Sequence, residues 1–243
     1  VCDTHHTVEK FNEYETFYIA EHIPTSIAMA SNIPGYEKWY SYSDNPVSLV
    51  SDMFEFIDAA CEKAGKLMLK KMSSLIDVLE YYKDKKLDKV IDYCTSVPIL
   101  GFNNAKYDNN VLTKYGFIPE ILKRCQDDEI PFVIKNGNQY KEIRIRKFVF
   151  LDAMLYVAPG TSLSKYISTY LGSNAPNKFH FPYERYSSSE FLLTLVKDLT
   201  YEDFYSNLKR EYTLKPNQFD EFQAICKKEN IKTVRQLLQY YNE

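Results

Sequence analysis

Three residue types that can do chemistry together stand close in the stretch GFNNAKYDNNVL, Gly101–Leu112: the amide of Asn104, the ring of Tyr107 and the carboxylate of Asp108. They follow an apolar run, VPILGF, that reads as a strand. A carboxylate at the start of the helix after a strand either caps that helix or binds a divalent cation. The amide four residues earlier can hydrogen-bond sugar or phosphate, and the ring can pack on a base. In an open α/β sheet such groups gather at the carboxyl ends of strands. Asp108 alone favours the cap, but Tyr107 and Asn104 beside it suit a site holding both a metal and a nucleic-acid end.

The elements that must position these residues are legible from periodicity and punctuation. IPTSIAMASNI, Ile23–Ile33, is β-compatible, Pro34–Gly35 predicts a turn, and EKWYSYS predicts the paired strand. From Pro46, apolar residues at Val47, Val50, Met53, Phe54, Ile57, Ala60 and Cys61 have helical spacing, with Asn45 as N-cap. SSLIDVLEYYKD and KLDKVIDYC continue as helices. VPILGFN reads as a strand buried on both faces, and NVLTKYGFIPEILKRC as a helix in two pieces, broken at Gly116 and Pro119. PFVIKNGNQYKEIRIRKFVFLDAM predicts two or three strands with a hairpin at Asn136–Gly137. SLSKYISTYL predicts a short helix capped by Thr161 or Ser162. After a proline-containing loop the tail reads as helical in SSEFLLTLVKDL, YEDFYSNLKREY, PNQFDEFQAICKKENI and TVRQLLQYYNE. The pattern is α/β, a mixed central sheet flanked by helices on both faces.

Composition narrows the classes. The chain has 243 residues, 45% of them hydrophobic, which suits one domain with a real core. No apolar run approaches the ~20 residues of a membrane span, and the first residues lack the basic and apolar regions of a signal peptide. With no initiator Met and an apolar helical pattern running to its last residues, the chain is expected to be a piece of a longer one. Five scattered cysteines without CxxC spacing argue against a zinc site or a disulfide framework, and fit a reducing, intracellular compartment. A net charge of −3 is not that of a protein gripping duplex DNA by charge alone. His5, His6, His22 and Cys2 match no closed zinc pattern. Lys135, Lys141, Arg144, Arg146 and Lys147 alternate along strands, as a solvated face or the rim of a primer channel.

GFNNAKYD resembles the second exonuclease motif of family-B DNA polymerases: an Asn, a short gap, then Phe or Tyr followed by Asp. FVFLDAMLYVAPGTSLSKYI looks like the strand and helix that follow it in the same domain. NKFHFPYE looks like the Lys-containing, Phe-Pro-Tyr-Glu segment of the protein-primed branch, found in phages, linear plasmids and self-synthesising transposons. Their order holds from about Ile23 to the C-terminus. The resemblance implies an RNase H-like 3′–5′ exonuclease fold in which two Mg²⁺ or Mn²⁺ ions, ~3.5–4 Å apart, drive phosphodiester hydrolysis.

Residue by residue, the resemblance implies that Asn104 and Tyr107 contact the primer end and that Asp108 is a metal ligand. Ala153 and Met154 stand where the family contacts single-stranded DNA. Lys178 matches a lysine on the scissile phosphate. Tyr241 matches the third motif, whose aspartate would fall two residues past Glu243. Asp3 matches the first motif's metal-ligand aspartate, with His5 where a glutamate is expected. With two of the four carboxylates unmatched, this region is expected to be inactive by itself. It is read as the 1–243 exonuclease-type domain of a DNA-directed DNA polymerase, acting in replication, whose palm lies outside these residues. Its implied partners are the 3′ end of single-stranded primer DNA and a terminal priming protein, without a membrane. A degenerate mobile-element relic, or a non-catalytic nucleic-acid-binding module that keeps the fold, are the competing expectations.

Overall fold

The computed structural model describes residues 21–125, 129–145, 147–172, 179–186 and 188–242. These fall into two compact units, one made of Ala30–Trp39 and Val50–Tyr166, the other of the rest. In chain order, β1 (Ser26–Ala30) and β2 (Lys38–Tyr42) pair as a two-stranded sheet. Between them Gly35 takes a φ of +88°, and the Tyr36 N–H closes on the Ile33 carbonyl at 2.9 Å. Only glycine holds that conformation without strain. α1 (Pro46–Lys71) starts where Asn45 Oδ1 accepts from the N–H groups of Val47 and Ser48 at 3.0 and 3.3 Å, the cap the sequence predicts. α2 (Ser73–Tyr81) and α3 (Leu87–Thr95) follow.

The sheet of the first unit is built from β3 (Val97–Gly101), β4 (Phe132–Asn136), β5 (Gln139–Ile145) and β6 (Phe148–Asp152), in the order β3-β6-β5-β4. β3 runs parallel to β6, and the other neighbours are antiparallel. The fold is therefore mixed α/β with a small mixed sheet. Between β3 and β4 lie α4 (Asp108–Thr113) and α5 (Phe117–Leu122); α6 (Leu163–Leu171) follows β6. Alternation sends Phe148 and Phe150 to one face. There they meet Phe54 of α1 at 5.9 and 6.0 Å between ring centroids, and Phe117 of α5 stands 5.0 Å from Phe150. These buried rings form the core of the unit.

Three expectations change here. β3 is not buried on both faces: Leu100 is 64% exposed, and Pro98 is open too. The register sets Leu100 beside Leu151, and Leu151 beside Glu142, so this is the face away from α1. An open groove of about 1460 Å³ runs over it, lined by Pro98, Leu151, Arg144 and Phe132 with Asp92 and Tyr93 of α3. Pro119 does not break a helix; it sits third in α5, where a missing N–H costs nothing, and Gly116, at φ +94°, makes the break alone. The hairpin loop is Gly137–Asn138 rather than Asn136–Gly137, because Asn136 already pairs with Gln139. Gly137 takes the positive φ at the first loop position.

The second unit packs α7 (Pro216–Lys228) and α8 (Val234–Asn242) with a series of 3-10 turns around Phe181, Tyr186, Leu192, Phe204, Phe222 and Leu237. YEDFYSNLKREY is not an α-helix. It forms a 3-10 turn, Tyr201–Phe204, then the hairpin β7 (Tyr205–Ser206) and β8 (Glu211–Tyr212). Glu184 explains the change. Its carboxylate accepts from Ser206 Oγ at 2.5 Å and from the N–H groups of Asn207 and Leu208 at 2.7 and 3.4 Å. A tertiary carboxylate thus takes N–H groups that a helix would have used.

Candidate functional site

Gly101 and Asp152 are register partners, so the two parallel strands β3 and β6 end side by side. The loop that leaves Gly101 passes directly over the end of β6. Asp152, 2% exposed, accepts hydrogen bonds from three main-chain N–H groups. Oδ1 takes those of Asn103 and Met154, each at 2.9 Å, and Oδ2 that of Ala105 at 3.0 Å. One carboxylate thereby ties the Asn103–Ala105 turn to the start of the 3-10 turn Ala153–Tyr156.

Asn104 fills the space between the strands. It is 7% exposed, and its Nδ2 donates to the Leu151 carbonyl at 3.1 Å. Its Oδ1 is buried without a hydrogen-bond partner among the described residues, which costs it the water it gave up. The fit demands Gly101: a Cβ there would stand 2.7 Å from Cγ and Nδ2 of Asn104. Asn103 takes a φ of +66°, which asparagine tolerates better than most residues. Further along, Asn110 Nδ2 donates to the carbonyls of Lys106 and Asn138 at 2.9 and 2.6 Å, and the Tyr140 N–H donates to the Ala105 carbonyl at 2.9 Å. The loop is therefore held by β6 on one side and the β4–β5 hairpin on the other.

This frame delivers Tyr107 and Asp108 to the first turn of α4, both half-buried. Ala153 and Met154, also half-buried, open the 3-10 turn beside it. The structure thus brings Asn104, Tyr107, Asp108, Ala153 and Met154 to one end of one sheet. Asn104 is turned inward, however, so its amide packs the loop instead of facing outward. Tyr241 belongs to the second unit. On α8 its hydroxyl is hydrogen-bonded by the Tyr183 hydroxyl, and its ring lies edge-on to Tyr183 at 5.7 Å. Tyr183 comes from the FPYE segment, whose Phe181 is buried in the same core. Asp3 and Lys178 lie outside the described residues.

Two residues that organise the site are not apparent in the sequence as candidates, Asp152 and Gly101. The available signals are a carboxylate closing an otherwise apolar strand, FVFLD, and a glycine directly before a polar loop.

Among the described residues, no group of three His, Cys, Asp or Glu side chains could hold a metal ion. Asp108 offers one carboxylate, and Asp152 has committed its oxygens to the main chain. Asp108 is thus the one expected metal ligand among the described residues, and the other, Asp3, lies outside them. Burial, with Asp58 nearby, pushes the Cys61 thiol up to about 12, and burial pushes the Cys226 thiol up to about 11. Of the strand cations, the Lys135 ammonium lies 4.4 Å from the Tyr140 ring centroid, and Arg144 pairs with Glu142 at 2.8 Å. Comparison with protein-family models, curated proteins and solved structures finds no match to this chain.

Proposed function

We propose that this chain is the proofreading-exonuclease region of a family-B DNA polymerase of the protein-primed type, with an RNase H-like sheet. In this reading its strand-end loop receives the 3′ end of a single-stranded primer. The observation that supports it is the joining, through Asp152, of the Asn103–Ala105 turn, which leads into Tyr107 and Asp108, to Met154. These segments are far apart in sequence; the motif resemblance assigns Tyr107 to the primer end, Asp108 to a metal, and Ala153 and Met154 to single-stranded DNA. The Tyr107 ring would stack on the terminal base, which contributes about 1–3 kcal/mol per base in such sites. Asp108 would face the terminal sugar and phosphate. No hydrolytic step is assigned to these residues.

A second reading follows from the hydrogen bonds of Asp152. A carboxylate given over to three main-chain N–H groups builds a binding loop without chemistry, as in a non-catalytic single-strand-binding module. One experiment addresses both. The full chain is titrated with a 5′-labelled 12-mer of oligo(dT), linear or circularised, and trimming is followed with Mg²⁺ or Mn²⁺. The proposal expects tighter binding of the linear strand, weakened by Tyr107→Ala, and slow or no trimming. Equal binding of circular and linear strands overturns the end-binding reading. Fast trimming that Asp108→Ala abolishes overturns the non-catalytic one.

A further inference from the structure

We infer that Asp152 is the positioning residue of this site: its buried carboxylate sets the loop bearing Tyr107 and Asp108 in register with the segment bearing Ala153 and Met154. The inference rests on the proposed function for what the loop binds, but its geometry stands apart from it. The two segments touch at a strand end, where each main chain turns away from the sheet and leaves N–H groups unpaired. Asn103, Ala105 and Met154 each have such an N–H, and each is satisfied by Asp152. The two oxygens are not equivalent. Oδ1 bridges the loop to the 3-10 turn, while Oδ2 accepts from Ala105. A carboxylate is the one side-chain group of this size that accepts on both atoms. The loop it holds includes Asn103 at φ +66°, a conformation that lasts only where surrounding contacts fix it.

Asp152→Asn makes this testable with little change of shape. The amide oxygen can keep Asn103 and Met154, but the NH₂ group must then face the Ala105 N–H, donor against donor. Three proteins are compared: wild type, Asp152→Asn, and Ile57→Ala as a core variant with a comparable loss of thermal stability. Hydrogen exchange reports the amides of residues 103–105 and 154. Anisotropy reports affinity for the linear oligo(dT) 12-mer without divalent metal.

In Asp152→Asn, exchange should quicken at Ala105 and its neighbours beyond the change seen elsewhere. Affinity should fall about tenfold, as loss of a buried charge-assisted hydrogen bond allows. Ile57→Ala should keep its affinity. Tyr107→Ala should weaken wild type but add little to Asp152→Asn, because a displaced loop no longer presents the ring. Unchanged exchange at 103–105 overturns the inference, and so does quickened exchange with unchanged affinity or with full additivity of the Tyr107 effect. If wild type fails to bind the oligonucleotide, the proposed function falls, and the exchange pattern alone decides whether Asp152 clamps the loop.

Discussion

At the scale of single residues, the site depends on what is missing as much as on what is present. Gly101 has no Cβ, and the Asn104 amide occupies the space one would need. Asn104 is itself pinned by the Leu151 carbonyl, so it cannot retreat without losing that bond. Gly101→Ala is therefore expected to destabilise the chain by about 1–3 kcal/mol, the usual cost of overpacking a tight site, measured by urea unfolding; an unchanged midpoint would contradict this packing. Glu184 shows the opposite case, a residue whose charge is used fully. Burial opposes its ionisation, yet hydrogen bonds from Ser206, Asn207 and Leu208 outweigh burial and hold its carboxyl below the ordinary value. A folded-state value below the unfolded one means the contribution is fully present above the ordinary carboxylate range. It is lost as pH falls through the lower, folded-state value. Glu184→Gln should accordingly lower thermal stability at neutral pH, and the gap from wild type should close in acid. A gap that stays constant with pH would show that the carboxylate's charge plays no part.

At the scale of elements, α5 is fastened to α1 by charge as well as by rings. Arg124 sits against Asp58 and Glu120, each at 2.6 Å, with its guanidinium 4.8 Å from the centroid of the Phe54 ring. Glu120 is only 8% exposed, and its other oxygen meets Lys123 at 2.5 Å. Removing Arg124 leaves the half-buried Asp58 without its ion-pair partner and Glu120 with Lys123 alone. Arg124→Ala should cost about 1.5–3 kcal/mol, the range for hydrogen bonds to charged groups, and a loss under about 1 kcal/mol in chemical denaturation would place the pair with surface bridges. Elements whose fate is decided locally were legible in the sequence. The Asn45 cap and apolar spacing predict α1. Asp108 was legible as a helix-start carboxylate after a strand. What was not legible depends on partners distant in sequence. Glu184 converts YEDFYSNLKREY from helical spacing to a hairpin, and Asp152 is an ordinary strand-end acid until the loop from Gly101 folds over it. The exposure of Leu100 likewise depends on which side of the sheet the helices take, and an apolar run carries no information about that.

At the scale of the whole molecule, each unit has its own core, one of phenylalanines between α1, α5 and the sheet, the other around Phe181, Phe222 and Leu237. The residues that the resemblance implies for the site divide between them: Asn104, Tyr107, Asp108, Ala153 and Met154 in the sheet unit, and Tyr241, matched to the third motif, in the other. A net charge of −3 leaves little general attraction for a polyanion, so affinity must come from local stacking and hydrogen bonds at the strand-end loop. The most direct test is to find where a primer end lies on the full chain. A 12-mer of oligo(dT) carrying 5-iodouridine at its 3′-terminal position is irradiated with the protein, and the cross-linked peptide is identified by mass spectrometry. The predicted result is attachment within residues 102–110, at Tyr107 or beside it, abolished by Tyr107→Ala and absent when the iodouridine is moved to the 5′ end. Attachment confined to other segments, or equal attachment from both ends, would contradict the assignment of this loop to a 3′ terminus.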